Sequence, residues 1–551
     1  MTNTFTNDAL QIVIDERGRL QSMFDRRRNI EYVKPHELWR LIINEDESLE
    51  VELKADNSRA EVTLNQNCFN IRFSDPTTHT GNKPDIVVVV KGSIDGEDVK
   101  FEIEIENNSH CIIRECHFPI IELSGTARQM ALHNSNLGGC VWQCLDNHLE
   151  ELNDGSPYKG MDYIYRRKIY TYPGASASTN SFALADGSGG LYFGCHDSSL
   201  NYTNHIIEME LNSNLNLLMV QCPFINPGER AGISGFNLSA YQGSWHKAAD
   251  KYRAWAESWY EFKAVPDAIR HMQGWQRLIM RAQYGENFFT FSQLPRIFDD
   301  GIKAGIDTLF MFGWHQGGHD CDYPAYIPSE ELGGTEELKN NISKFKERGG
   351  KVILYANGQL IDKNSDYYLN GKGREVSIKD HRGNEPLQFY GFSGRGVFNR
   401  KYGNRTFVTA CPCCTDWHEQ LKKVIDMASS LGCDGVFFDQ LGAESSLCCD
   451  PAHGHPVPHF GIMNDRRDMV AKLYRYAESM NPPLHFGIEH ISDITAQHSH
   501  YIHAMAGGSA VVNKKYLEKG EKPVVMFDLS WFRYIFPEVV ISNREIRDGE
   551  D

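Results

Sequence analysis

Short apolar runs, alternating or continuous and cut by turn residues, fill the first half of the chain. Residues 10–14 read LQIVI before Asp15-Glu16-Arg17-Gly18, and residues 86–90 read IVVVV shortly before Gly92. Residues 101–105 and 190–193 repeat the pattern, the former ahead of Asn107-Asn108. Runs of this length with one apolar face predict strands of a large antiparallel β-sandwich. Around residues 244–260 the period changes. Trp245, Ala248, Tyr252, Trp255 and Trp259 recur at helical spacing, which predicts a helix.

From Gly274 onward the rhythm is strand, loop, helix. Strands are predicted at 277–280, 308–312, 352–356, 435–439, 485–489, 501–505 and 539–542. Between them, Thr335 is positioned to cap a helix whose Leu338, Ile342 and Phe345 share a face. Thr415 is positioned to cap a second, with Trp417, Leu421, Val424 and Ala428 inward and Gly432 at its end. A third runs from 465 to 480 and stops at Asn481-Pro482-Pro483. The expectation is a (β/α)8-type TIM barrel. The domains are then a sandwich over 1–244, a helical linker over 245–273 and a barrel over 274–551. Only 524–527 offers an extra barrel strand, and no helix follows 539–542. The barrel is therefore expected to be incomplete at its C-terminus, or closed by further chain or a partner.

Composition narrows the function classes. At 551 residues the chain holds about two to three domains. Hydrophobic residues at 41% and charged residues at 23% are the balance of a soluble protein. A net charge of −17 argues against a nucleic-acid partner, because phosphate binding needs clustered Lys and Arg. No apolar run is long enough for a membrane span, so no membrane partner is expected. The opening MTNTFTNDAL has neither a basic nor an apolar leader segment, and a cytoplasmic location is expected. The 14 cysteines are irregularly spaced and read as reduced thiols.

Barrels carry their chemistry at the carboxyl ends of their strands. Asp439 closes the apolar run Gly435-Val436-Phe437-Phe438, where a carboxylate is desolvated unless it is used or paired. Glu489 closes His485-Phe486-Gly487-Ile488 on the next strand. Adjacent strands lie about 4.8 Å apart, so these two form the candidate catalytic pair. Trp314, His315, His319, Asp320, Asp322 and Tyr323 follow the second strand and combine aromatic faces with carboxylates, a sugar-binding composition. A metal site is the competing reading of that segment. Asn357, Gln359, Gln440 and His490 extend the same rim. The loops Cys411-Pro412-Cys413-Cys414 and Cys448 to His459 contain one CxxC and one HxxxH. Prolines between His455 and His459 exclude the helix that usually presents such a pair. His453 and His455 are therefore placed on the pocket wall, the cysteines are read as packed thiols, and neither metal nor cofactor is expected.

The segments GWHQGGHDCDYPAY, KVILYANGQLID, CDGVFFDQLGA and HFGIEH resemble the barrel of bacterial proteins carrying a glycosidase-like domain of unknown function. That barrel is similar to the endo-α-N-acetylgalactosaminidase barrel and, distantly, to the α-amylase superfamily. The resemblance covers about 274–543 and implies a galactose-mutarotase-like sandwich ahead of it. It also implies Asp439 as nucleophile and Glu489 as acid/base in retaining hydrolysis of an α-glycosidic bond, with an oligo- or polysaccharide as substrate. Two features depart from α-amylases. Phe437 stands where they carry Arg, and their stabilising Asp on a later strand has only Asp528 as a counterpart. Two other classes fit the same residues: a non-catalytic carbohydrate-binding protein, and a polysaccharide lyase or epimerase working through His and Tyr.

Overall fold

A computed structural model describes residues 3–44, 50–65, 67–147, 152, 165–211, 214–391, 394–403, 405–504, 525–527 and 529–542. They form two compact units, the first built on Met1–Tyr260 and the second on Glu261–Gly507. Described residues of 508–537 belong to the first and those from Glu538 on to the second. Among the described residues no helix is long and apolar enough to cross a membrane.

The first unit is built from antiparallel sheets of four, ten and six strands. Ile86–Asp95 and Asp98–Asn107 pair over their whole length, and along both the residues alternate between buried and more exposed. That period of two is the pattern read from the sequence. Side chains of the ten- and six-stranded sheets meet in an aromatic seam. Phe118 stands edge-on to Phe101 and to Phe236, with ring centroids 6.2 and 5.3 Å apart.

Two sequence expectations need correction here. The helix, His246–Ala256, is not a linker: Tyr252 is buried, its hydroxyl accepts the Asn180 N–H at 3.0 Å, and Trp255 stacks on His196 at 5.0 Å. The aromatic spacing that revealed the helix is thus the face it buries within the first unit. The run at 524–527 is no barrel strand. Val525–Phe527 pairs antiparallel with Cys140–Trp142 at the edge of the ten-stranded sheet. The helix after it, Ser530–Ile535, buries Trp531, Phe532 and Ile535, and its last carbonyl accepts from Arg253 Nη1 at 2.7 Å. These contacts hold the segment in the first unit, so 274–551 is not one continuous domain.

The second unit centres on a seven-stranded parallel sheet in sequence order: Gln276–Ile279, Thr308–Phe312, Lys351–Asn357, Gly435–Asp439, His485–Glu489, Tyr501–His503 and Ile541–Ser542. All seven predicted strands are present, because continuous apolar runs are what a parallel sheet buried on both faces requires. The sheet is curled. Laid flat, its first and sixth strands would be about 24 Å apart. Yet Trp275, just before the first, lies 5.8 Å from Tyr501 of the sixth by ring centroids. Phe310 and Phe437 fill the space between, 4.8 Å apart. Strand pairs among the described residues run from the first to the seventh, and none joins the seventh to the first.

Helices Gly334–Glu347 and Thr415–Ser430 bury the predicted faces, although they are capped by Gly333 and Cys414 rather than by Thr335 and Thr415, and the third predicted helix is Ile462–Glu478. Between the third and fourth strands the chain makes an antiparallel three-stranded excursion, Leu360–Asp362, Leu387–Tyr390 and Arg405–Thr409.

Candidate active site

Parallel register brings the chemistry together. Gly435 pairs with His485 and Phe438 with Ile488, so the next step sets Asp439 beside Glu489. On its other side Asp439 pairs with Asn357. Tyr355 donates its hydroxyl to Asp439 Oδ2 at 2.6 Å and Asn357 Nδ2 donates to the same oxygen at 3.3 Å. The charge of Glu489, at the end of the neighbouring strand, acts on the Asp439 carboxyl. Glu489 Oε2 in turn accepts the Gln440 N–H at 3.2 Å and lies 3.3 Å from His490 Nε2.

Both strands turn sharply after their carboxylate. Gln440 has φ 64° and His490 φ 68°, left-handed values that cost a non-glycine residue about 1–2 kcal/mol. Asp320 and Asp322, after the second strand, are left-handed as well. Such residues cluster where surrounding structure holds a functional geometry. Gly442 lets the loop of the fourth strand cross the end of the fifth: its N–H donates to Glu489 O at 2.8 Å, and a Cβ there would lie 2.0 Å from His490 O. Any side chain at 442 would push the two strand ends apart.

The pair lies on a cavity of about 1320 Å³. Asp320, His319, Tyr390, Arg277 and His503 supply its polar wall, and Phe312, Phe437 and Tyr501 part of its apolar wall. Burial pushes the Asp439 carboxyl well above the usual carboxylate range; the charge of Glu489 adds to this, against the opposing Tyr355 hydroxyl. Asp439 lines the cavity and is half-buried. Burial also lowers the pKa of His490. Tyr390 is pushed up to about 12 by burial and by the charge of Asp439, and it remains a donor.

Of the residues proposed from sequence, Asp439, Glu489, His319, Asp320, Gln440 and His490 line this cavity. Others lie beneath its wall. Trp314 is fully buried with its indole N–H donating to Tyr355 O at 2.8 Å, so it offers no face to a sugar. His315 is buried against Cys321 O, and Tyr323 is buried with its hydroxyl donating to Asp320 Oδ1 at 3.0 Å. Asn357 and Gln359 are buried too: Asn357 braces Asp439, and Gln359 Nε2 donates to Gln440 Oε1 at 2.8 Å. Asp322 lines a different cavity, with Arg281, Asp362 and Arg405. His453 and His455 are not on the wall; they sit among the thiols of Cys411 and Cys448. Position after a strand end was therefore a weaker guide than side-chain direction, which alternates residue by residue.

Tyr355, Tyr390, Arg277 and Gly442 were missed. Tyr355 was within reach, since it stands two residues before Asn357 and shares its side of the strand. Tyr390 carries no local signal, because the antiparallel excursion brings it in from far along the chain. Tyr355→Phe is expected to lower kcat about 10- to 100-fold with little change in KM, the worth of one hydrogen bond to a charged group. Steady-state kinetics checks this, and an unchanged kcat would make Tyr355 a packing residue only.

A curled parallel sheet with paired carboxyls at its carboxyl edge, together with a β-rich antiparallel unit, defines a glycoside-hydrolase-like fold. Comparison with known proteins agrees. The α-N-acetylgalactosaminidase NagBb from Bifidobacterium bifidum in its Gal-NHAc-DNJ complex is 14% identical, with a TM-score of 0.71 over 98% of this chain and 83% of that one. Its GalNAc complex gives 14% identity and a TM-score of 0.66 over 91% and 79%. The GH36 α-galactosidase AgaA from Geobacillus stearothermophilus is 11% identical over 99% of this chain and 79% of that one, at a TM-score of 0.48. Residues 235–480 match the family model described as Domain of unknown function (DUF6259), a span that includes Asp439 and ends before Glu489. The resemblance to a glycosidase-like family of unknown function holds. No curated protein matches in sequence.

Proposed function

We propose that the chain is a retaining glycoside hydrolase acting on an α-linked N-acetylgalactosaminide. In this reading the curled sheet is a (β/α)8-type barrel and the antiparallel unit a galactose-mutarotase-like sandwich. The observation that carries the reading is that Asp439 and Glu489 end adjacent parallel strands and both line the large cavity. Inverting enzymes hold their carboxyls about 6.5–9.5 Å apart to fit a water, and retaining ones about 5–5.5 Å. Adjacent strands lie about 4.8 Å apart, so carboxyls ending neighbouring strands match the shorter spacing.

In the first step Glu489 gives its proton to the glycosidic oxygen while Asp439 attacks the anomeric carbon, and the C–O bond to the leaving group breaks. In the second, Glu489 takes a proton from water, whose oxygen attacks the same carbon and releases Asp439. The sequence needs Asp439 ionised and Glu489 protonated at its start, so the proton that burial favours on Asp439 in the free protein has to move to Glu489 once substrate is bound. Tyr355 and Asn357 hold the carboxylate of Asp439 in line. Asp320 and His319 are placed to fix sugar hydroxyls, and the choice of sugar rests on the fold shared with NagBb.

The test is a panel of aryl α- and β-glycosides, with proton NMR of the first-formed anomer. Hydrolysis of the aryl α-N-acetylgalactosaminide with the α-anomer appearing first is expected. The β-anomer first would mean inversion, an unsaturated product absorbing in the ultraviolet a lyase, and binding without turnover a carbohydrate-binding protein.

A further inference from the structure

Two loops of the second unit, distant in sequence, converge away from the residues that line the cavity. One holds Cys411-Pro412-Cys413-Cys414, between the strand Arg405–Thr409 and the helix Thr415–Ser430. The other runs from Cys448 to His459, between the strand that ends in Asp439 and the helix Ile462–Glu478. Ligand atoms of Cys411, Cys448, His453 and His455 all lie within 4.8 Å of one another. A tetrahedral zinc with bonds of about 2.0–2.3 Å sets its ligand atoms roughly 3.3–3.8 Å apart, so small side-chain movements close the site.

Both imidazoles are already oriented for ligation. His453 Nε2 lies 2.8 Å from Glu375 O, which places its proton there and leaves Nδ1, 3.3 Å from Cys448 Sγ, as a lone pair. His455 Nδ1 lies 2.8 Å from the Pro456 carbonyl, which leaves its Nε2 as the lone pair. That Nε2 is buried and has no hydrogen-bond partner. A backbone carbonyl fixing the tautomer of a histidine is the usual outer contact of a zinc ligand. The loops themselves are held by backbone bonds, Cys411 N to Val376 O at 2.8 Å and Cys449 N to Lys379 O at 2.8 Å. Pro412, Pro451, Pro456 and Pro458 restrict them further.

We propose that Cys411, Cys448, His453 and His455 bind one structural zinc ion, with two thiolates and two imidazoles filling a closed tetrahedral site. Two sulfur and two nitrogen donors suit zinc, and four protein ligands leave no position for substrate. Cys413, His459 and Asp465 form an adjoining trio at its rim, in which His459 is hydrogen-bonded to Asp465. The ion would tie down the loop that starts at Gln440, next to Asp439. The helix beyond that loop already holds the same stretch, through Arg466 donating to Ala443 O at 2.8 Å and to Gln359 Oε1 at 2.7 Å. The sequence reading of packed thiols and no metal differs from this proposal, in which two of those thiols join two histidines in a mixed set. Its local signature is Cys448 followed by His453 and His455.

The test is metal analysis of the untagged chain purified under reducing conditions, with Cys448→Ser, His455→Ala and, as a control thiol outside the cluster, Cys433→Ser. One zinc per chain is expected in the wild type and in Cys433→Ser, and none in the other two. A strong chelator should lower the wild-type melting temperature, and zinc should restore it. Cobalt exchanged into the wild type should give the thiolate charge-transfer and d–d absorption of a tetrahedral centre, a result independent of whether the variants fold. A wild type free of zinc and without that cobalt spectrum, a Cys411–Cys448 disulfide found by mass spectrometry, or zinc retained in both ligand variants would overturn the proposal. None of these readouts uses turnover, so they stand apart from the glycosidase reading.

Discussion

Asp439→Asn is expected to lower turnover of an aryl glycoside by about 10⁴-fold or more, the usual loss when a covalent nucleophile is removed. The same variant should melt at a higher temperature than the wild type at neutral pH. Burial and the neighbouring Glu489 raise the Asp439 pKa in the folded protein, whereas the unfolded chain loses this proton near the ordinary value of about 3.9. As pH rises from about 4 through the folded value, the unfolded state gives up its proton before the folded state does. Folding is therefore progressively disfavoured over that window, and at neutral pH the wild type bears the penalty. Asn carries no charge to desolvate and still accepts from Tyr355. Its gain in melting temperature should shrink toward zero as pH falls below about 3, where both states of the wild type hold the proton. Turnover within tenfold of wild type, or a gain largest in acid, would count against Asp439 as the buried nucleophile.

Glu489→Gln should separate substrates by their leaving group. With a sugar or alkyl leaving group the glycosidic oxygen needs a proton as the bond breaks, and kcat/KM should fall by about 10²–10⁴. With a dinitrophenyl glycoside the departing oxygen needs no proton, and kcat/KM should stay within about tenfold, since the loss belongs to the acid step alone. The second step still lacks its base, so the glycosyl-enzyme should accumulate and show a burst. Azide, which needs no deprotonation, should restore turnover and give a glycosyl azide of retained configuration. Equal losses with both leaving groups would leave Glu489 a positioning role and remove the acid/base assignment.

What could be read in the sequence follows from how local each feature is. Continuous apolar runs located the seven parallel strands, and their last residues located Asp439 and Glu489. The side of the strand that a neighbour faces was not legible from position alone. Trp314, His315 and Tyr323 follow the second strand as closely as Asp320 does, yet they turn into the core. Tyr390 and the zinc ligands were beyond reach for another reason, since each set joins segments that only the folded chain brings together.

The sequence by itself determined periodicity: antiparallel strands first, parallel strands after, and a carboxylate at the end of two adjacent ones. Those are properties of stretches a few residues long, set by burial and backbone sterics. Only the tertiary structure decided that the chain returns at Val525–Phe527 to the first unit, because strand pairing there is chosen by a distant edge. It alone decided that Asp439 stands beside Glu489, which depends on register between strands separated by a helix and two loops. It alone turned Cys411, Cys448, His453 and His455 into one cluster, since contact between loops depends on the packing of the elements that carry them.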